Sequence, residues 1–216
     1  MSLFRIRYQT VEFGDTDIHV RTLRDNQQYA DAEGRAETLG ISSANWPLFG
    51  VIWASSRILA GLMFHHDVVG KRVLEVGCGI GLASLVLNHR LADITATDYH
   101  PEVESFLLKN VMLNNDKRIP FVRTGWNDKL SNLGLFDLII GSDLLYESGH
   151  VDLLSDFIDQ HASLHCDVIL VDPGRGHHAR FSKKMVGLGY GHSQRKPFDA
   201  ASMVPPFRGR ILSYNR

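Results

Sequence analysis

The stretch from Arg72 to Leu85, RVLEVGCGIGLASL, restricts the fold more than any other part of the chain. Val73, Leu74 and Val76 have the apolar, largely β-branched character of a strand buried on both faces, whereas Leu82, Ala83, Leu85 and Val86 begin a helical period. Gly77, Gly79 and Gly81 therefore fall on a strand-to-helix turn. Glycine allows a sharp turn and close approach of a ligand to the main chain, and the helix behind it presents free N–H groups.

A dinucleotide site would use G-x-G-x-x-G at such a turn. The spacing here is G-x-G-x-G, with Cys78 and Ile80 between the glycines and Glu75 two residues before the first of them. An acid facing a ligand at the carboxyl end of a strand suits a cationic amine better than a pyrophosphate. This favours S-adenosylmethionine over NAD, although a bare tight turn also uses glycines.

A chain of 216 residues is long enough for one well-buried domain, and a net charge of −1 supplies no bulk attraction to nucleic acid or to an anionic membrane. Neither a signal-peptide core nor an apolar run long enough to span a bilayer is present, so the expected location is the cytoplasm. Cys78 and Cys166 read as buried thiols rather than a disulfide, and no metal spacing accompanies them. The His65-His66 and His177-His178 pairs lack a further ligand and read as surface or capping residues.

The chain is read as a single domain, with residues 1–45 as an N-terminal hairpin and cover segment and 46–216 as the core. FRIRYQTVEF and TDIHVRTLR, separated by Gly14-Asp15, alternate as a β-hairpin, an accessory ribbon. Residues 25–39 fit either a solvated helix or a mobile cover. Helical spacing predicts a helix over 46–64 with Pro47 at its start and Trp53 in phase with the buried stripe. Helices are then expected at 82–90, 101–115, 151–161 and 180–188. The matching strands are 93–98, 119–123, 136–142 and 167–172, with a final edge strand at 211–214. Repeated β-α units imply a mostly parallel sheet covered on both faces, with ligands at the carboxyl ends of the strands where the strand order reverses.

Each residue at those ends has two readings. Asp98 fits a ribose diol or a helix cap before Pro101, and Tyr99 fits an adenine face or an ordinary exposed tyrosine. Trp126, between Gly125 and Asn127, is an odd place to bury core area and fits an aromatic platform. In GSDLLYE, Asp143 and Tyr146 follow a strand end and are suited to orient an acceptor amine and stabilise its developing charge; Asp143 also fits a helix cap. Arg175, in DPGR, fits a substrate carboxylate or an internal acid.

PLFGVIWASSRILA, LEVGCGIG, the TD of the second strand, the GW after the third and SDLLYE together resemble the class I, seven-β-strand S-adenosylmethionine-dependent methyltransferases over residues 45–216. Within these they resemble the lysine-methyltransferase-like branch. DPGR with PLFGVIW is similar to the enzymes that methylate the electron-transfer flavoprotein β-subunit. The resemblance implies an α/β, Rossmann-like, doubly wound seven-stranded sheet with an N-terminal hairpin. It also implies that Glu75 and the loop (Gly77, Cys78, Gly79, Gly81) hold the methionyl part, Asp98 the ribose and Trp126 the adenine. Trp53 would cover the cofactor, and Asp143 and Tyr146 would be catalytic, with Asp143 also touching cofactor. Ile80 stands where the family often has threonine.

The expected activity is methyl transfer from S-adenosylmethionine, which leaves S-adenosylhomocysteine, to a protein lysine, without a metal. A small-molecule N-methyltransferase and a non-catalytic adenosine-cofactor-binding protein are the alternatives, with an NAD oxidoreductase more distant. Neither a nucleic-acid nor a membrane partner is expected, and the sequence is silent on oligomeric state.

Overall fold

The computed structural model describes residues 5–25, 29–128, 132–198 and 205–216. Phe4 and residues 26–28, over which the expected hairpin and cover segment extend, lie outside them. Nine strands form two sheets. β1 (Ile6–Phe13) and β2 (Thr16–Leu23) make the antiparallel hairpin. The second sheet contains β3 (Arg72–Val76), β4 (Asp93–Asp98), β5 (Phe121–Arg123), β6 (Phe136–Ser142), β7 (Ala162–Asp172), β8 (Gly191–Arg195) and β9 (Arg210–Asn215). Its order is β5-β4-β3-β6-β7-β9-β8, parallel from β5 through β7, with β9 antiparallel to both of its neighbours. The order reverses between β3 and β6, so the glycine turn after β3 opens on the switch point.

The helices are α1 (Arg35–Thr38), α2 (Ala54–His65), α3 (Leu82–His89), α4 (Val103–Leu113), α5 (His150–His161) and α6 (His178–Gly187). The sheet separates two apolar cores. Val73, Leu138 and Ile140 share one with Leu59, Leu85 and Phe106, whereas Leu74, Ile139 and Leu170 share the other with Leu154, Phe157 and Phe181. Opposite faces of the same strands are thus dry, which accounts for their continuous apolar runs.

Three expectations need correction. The helix expected over 46–64 begins only at Ala54, because Leu48–Gly50 forms a 3₁₀ turn and Val51 and Trp53 are extended. A Cβ on Gly50 would collide with the Leu23 side chain, so this turn is pressed onto the hairpin. The strand at 211–214 is not an edge; β8 covers it, and the fully exposed GHSQR carries no alternation by which to read it. Within 25–39 the only helix is the single turn α1, and the segment is tied down by Tyr99 Oη donating to the Leu39 carbonyl (2.8 Å) and by an Arg35–Glu102 ion pair.

The hairpin is more than an accessory ribbon. Val11, Phe13, Ile18, Val20 and Leu23 are buried in the first core. Asn114 of α4 accepts from the His19 amide (2.8 Å) and donates to the His19 carbonyl (2.8 Å), and Asn110 accepts from the Arg21 amide (2.7 Å). Two helix side chains thereby satisfy the backbone groups that a neighbouring strand would satisfy. Asn110 also donates to the Ile80 carbonyl (3.3 Å), linking the hairpin to the glycine turn.

Candidate functional site

All three loop glycines have positive φ, 60° at Gly77, 55° at Gly79 and 74° at Gly81, and each faces a neighbour that leaves no room for a Cβ. Leu144 Cδ2 lies 2.5 Å from a Cβ built on Gly77, the Phe49 carbonyl oxygen 3.0 Å from one on Gly79, and Leu107 Cδ1 2.5 Å from one on Gly81. The turn is therefore a bare main-chain cradle held from three sides. Such a cradle fits a ligand that approaches backbone amides.

The carboxylates around it are held from inside. Glu75 is buried at 2% exposure, and its Oε2 accepts from the Ser84 amide (2.8 Å) and from the Ser84 hydroxyl. Gly81, at the N-cap of α3, has no side chain to cap the helix, and Glu75 does so from the preceding strand. Burial outweighs these bonds and raises its pKa to about 7. Instead of facing outward, then, the Glu75 carboxylate points to the helix start. Asp98 Oδ2 accepts from the Gly79 amide (2.9 Å) and Oδ1 from the His100 amide (2.9 Å). Burial raises the pKa of this acid against those amides. Tyr99 is exposed, and its ring would lie 3.4 Å from a Cβ on Gly125, beside Trp126. Cys78 is buried and burial pushes its thiol well up, so it serves the loop as an apolar residue.

Trp53 is half-buried, and its Nε1 donates to the Leu48 carbonyl (2.9 Å), closing the 3₁₀ turn ahead of α2. Trp126 is half-buried against the second core and meets the His150 ring edge-on at 5.0 Å; Tyr146 meets the other side of that ring at 4.5 Å. His150 Nδ1 bonds the Leu144 carbonyl at 3.0 Å. His150 thus joins the tryptophan to the tyrosine. Sequence reasoning passed over it, since a lone histidine opening a helix carries no pattern.

The loop after β6 is fastened to the glycine turn. Leu144 fills the space left bare by both Gly77 and Gly141, its Cδ1 lying 2.6 Å from a Cβ built on the latter. Asp143 takes a left-handed φ of 55°, and its amide donates to the Val171 carbonyl (2.9 Å). Its carboxylate accepts from Arg175 Nε (2.5 Å) and Nη2 (2.7 Å), so the internal acid is the partner of Arg175. Tyr146 is 40% exposed at its outer face; burial of the inner face, and then Asp98, Glu147 and Asp143, push its hydroxyl upward, and it is a neutral phenol at pH 7. The structure therefore brings Asp143, Tyr146, Trp126 and the glycine turn together, with Asp98 and Tyr99 next along the sheet edge. Trp53 stands apart as a brace.

Among the described residues no group of three or more His, Cys, Asp or Glu side chains is placed to hold a metal, and no helix is long and apolar enough to cross a membrane.

Comparison with known proteins agrees with this arrangement. Protein N-lysine methyltransferase METTL21A of Danio rerio is 34% identical over 115 residues, covering 48% of this chain and 52% of that protein. The electron transfer flavoprotein beta subunit lysine methyltransferase of Xenopus laevis is 28% identical over 144 residues, covering 65% of this chain and 56% of that protein. The chain spans about half the length of these curated relatives. The fold is shared with the 16S rRNA N2 G1207 methyltransferase of T. thermophilus, solved with AdoMet and guanosine, at a TM-score of 0.67 and 13% identity over 98% of this chain and 51% of that one. A family described as lysine methyltransferase matches residues 41–185, which include the glycine turn, Asp98, Trp126, Asp143 and Tyr146. The chain belongs to the lysine methyltransferase family.

Proposed function

We propose that this protein transfers a methyl group from S-adenosylmethionine to the side-chain nitrogen of a lysine in a protein. The observation that carries the reading is Leu144, which wedges the Asp143–Tyr146 loop directly onto Gly77 and so sets an acid and a phenol beside the main-chain cradle. Related proteins that carry lysine in their names add support.

The cradle of Gly77, Cys78, Gly79 and Gly81 would hold the methionyl part, with Glu75 acting through the loop it braces. Asp98 would take the ribose, and Tyr99 and Trp126 would flank the adenine. Trp53 would cover the cofactor by holding Phe49 against Gly79. When bound, the sulfonium supplies an activated methyl group and departs as S-adenosylhomocysteine. What remains for the protein is alignment and the removal of water, effects worth several kcal/mol. Asp143 would receive the acceptor as its ammonium form, since an unperturbed lysine titrates near pH 10.4. The aromatic wall of Trp126, His150 and Tyr146 would desolvate it and favour loss of its proton. Asp143 and the Tyr146 hydroxyl would then stabilise the positive charge that returns as the nitrogen gains the methyl group.

One globular unit formed by residues 1–216, a cytoplasmic location and independence of nucleic acid, membrane and metal complete the reading. Free buried thiols at Cys78 and Cys166 are consistent with a reducing compartment. The test is incubation with methyl-labelled cofactor and either lysate or recombinant electron-transfer flavoprotein, followed by hydrolysis. Label in methyllysine is the expected result. Label in small molecules would favour the amine alternative, label in another protein side chain would move the acceptor, and cofactor binding without transfer to any acceptor would favour the non-catalytic one.

A further inference from the structure

Arg175 covers Asp143 from the solvent side, for its own side chain is 43% exposed and that of the acid only 12%. The arginine stands between Gly174 at φ 98° and Gly176 at φ 93°, and nothing lies within 4 Å of a Cβ built on either. Packing does not require those glycines; the backbone path does. Three residues before Arg175, Asp172 is 3% exposed. Its Oδ2 accepts from the Gly174 amide (3.0 Å), whereas its Oδ1 is buried with no hydrogen-bond partner among the described residues. The nearest imidazole nitrogen, His178 Nδ1, is 3.7 Å from Oδ2 and is itself buried and unpartnered. A buried carboxylate oxygen without a donor is costly and calls for an explanation.

We propose that Arg175 is a specificity-determining stand-in for the acceptor cation, which occupies Asp143 until a substrate ammonium displaces it and then turns to the unpartnered oxygen of Asp172. The proposal rests on the reading of Asp143 as the acceptor site. A guanidinium on the same chain competes at a high effective concentration. A free amine must overcome that competition alone. A lysine on a protein brings further contacts with it, so the exchange selects protein acceptors over small amines. Each acid remains paired in one of the two states, and the flanking glycines permit the backbone adjustment.

The test uses the full chain saturated with S-adenosylhomocysteine and n-butylammonium as a lysine side-chain probe. In ¹⁵N spectra the Arg175 Nε–H resonance, assigned by its loss in Arg175→Lys, should shift as the probe is added. Arg175→Gln should tighten probe binding by about two- to fivefold, the scale of removing one partly exposed competing ion pair. Asp172→Asn should weaken the probe in the parent protein, where it removes the landing place, and have no effect in the Arg175→Gln background. An unmoved resonance overturns the proposal. So does weaker probe binding, or none, in Arg175→Gln, or an equal effect of Asp172→Asn in both backgrounds. The resonance is read on the unmutated chain and stands even if Asp172→Asn fails to fold. None of these measurements uses methyl transfer. Labelled lysine with a static Arg175 therefore overturns the exchange alone, whereas exchange without labelled lysine overturns the proposed function.

Discussion

At the cofactor end the carboxylates of Glu75 and Asp98 are held by main-chain amides of Ser84, Gly79 and His100, whereas at the acceptor end Asp143 is held by a side chain, that of Arg175. Amides of a packed turn cannot leave without unfolding it. A half-exposed guanidinium can, at the modest cost of a partly exposed ion pair. The cofactor end is thus assembled before any ligand arrives, and the acceptor end is held by a contact that a competing cation can replace. Variants at the first should lose stability along with affinity, and variants at the second should lose turnover at constant stability.

The largest effect is expected for Asp143→Asn, which keeps the shape and removes the charge. Turnover on a verified acceptor should fall about a hundredfold, with cofactor affinity changed less than about tenfold, or 1.4 kcal/mol. A comparable drop in the melting temperature of the cofactor-free protein would erase the contrast between the two ends.

Asp98→Ala strands the Gly79 and His100 amides as well as a ribose. It should cost about 1 to 3 kcal/mol in cofactor binding by calorimetry, and a share of apo stability in denaturant melts. Lost affinity with an unchanged melt would mean that the two amides find other partners.

Glu75 sharpens the contrast through pH. Its folded pKa of about 7 lies above the ordinary 4.5, so between those values the folded state keeps a proton that the unfolded state has released. Its contribution to stability should decline as pH rises through that window and level off above it, by about 1 to 3 kcal/mol in all. Glu75→Gln should flatten this part of the stability profile measured by denaturant melts. An unaltered profile would assign the slope to another group.

The smallest effect is expected for Tyr146→Phe, since the ring keeps its edge contact with His150 and loses only the hydroxyl. Turnover should fall by about tenfold or less, and both the melt and cofactor affinity should stay near their starting values. An effect equal to that of Asp143→Asn would make the phenol, rather than the acid, the chief acceptor group.

Much of the fold was legible because its strands are buried on both faces and read as apolar runs. Phe136–Ser142 and Asp93–Asp98 fall where periodicity put them, and the glycines marked the turn. The strand Gly191–Arg195 was not legible, since it is polar throughout and owes its place to pairing with β9. Helical spacing ran on through residues 46–53 because apolar residues recur there at helical intervals. Contact with Leu23 and Gly79, distant in sequence, bends them into a 3₁₀ turn instead.

The site divides along the same line. Residue type and position relative to a strand end are local properties, and from them the sequence alone determined the cradle, the strand-end acids and the aromatic at 126. Which way each side chain turns depends on partners far along the chain. Ser84 draws Glu75 inward, Phe49 presses on Gly79, Leu144 fills the gap between two glycines, and Arg175 reaches across from β7 to Asp143. Only the tertiary structure decided these, because a hydrogen bond or a close contact is set by distance in space, and sequence separation carries no record of it.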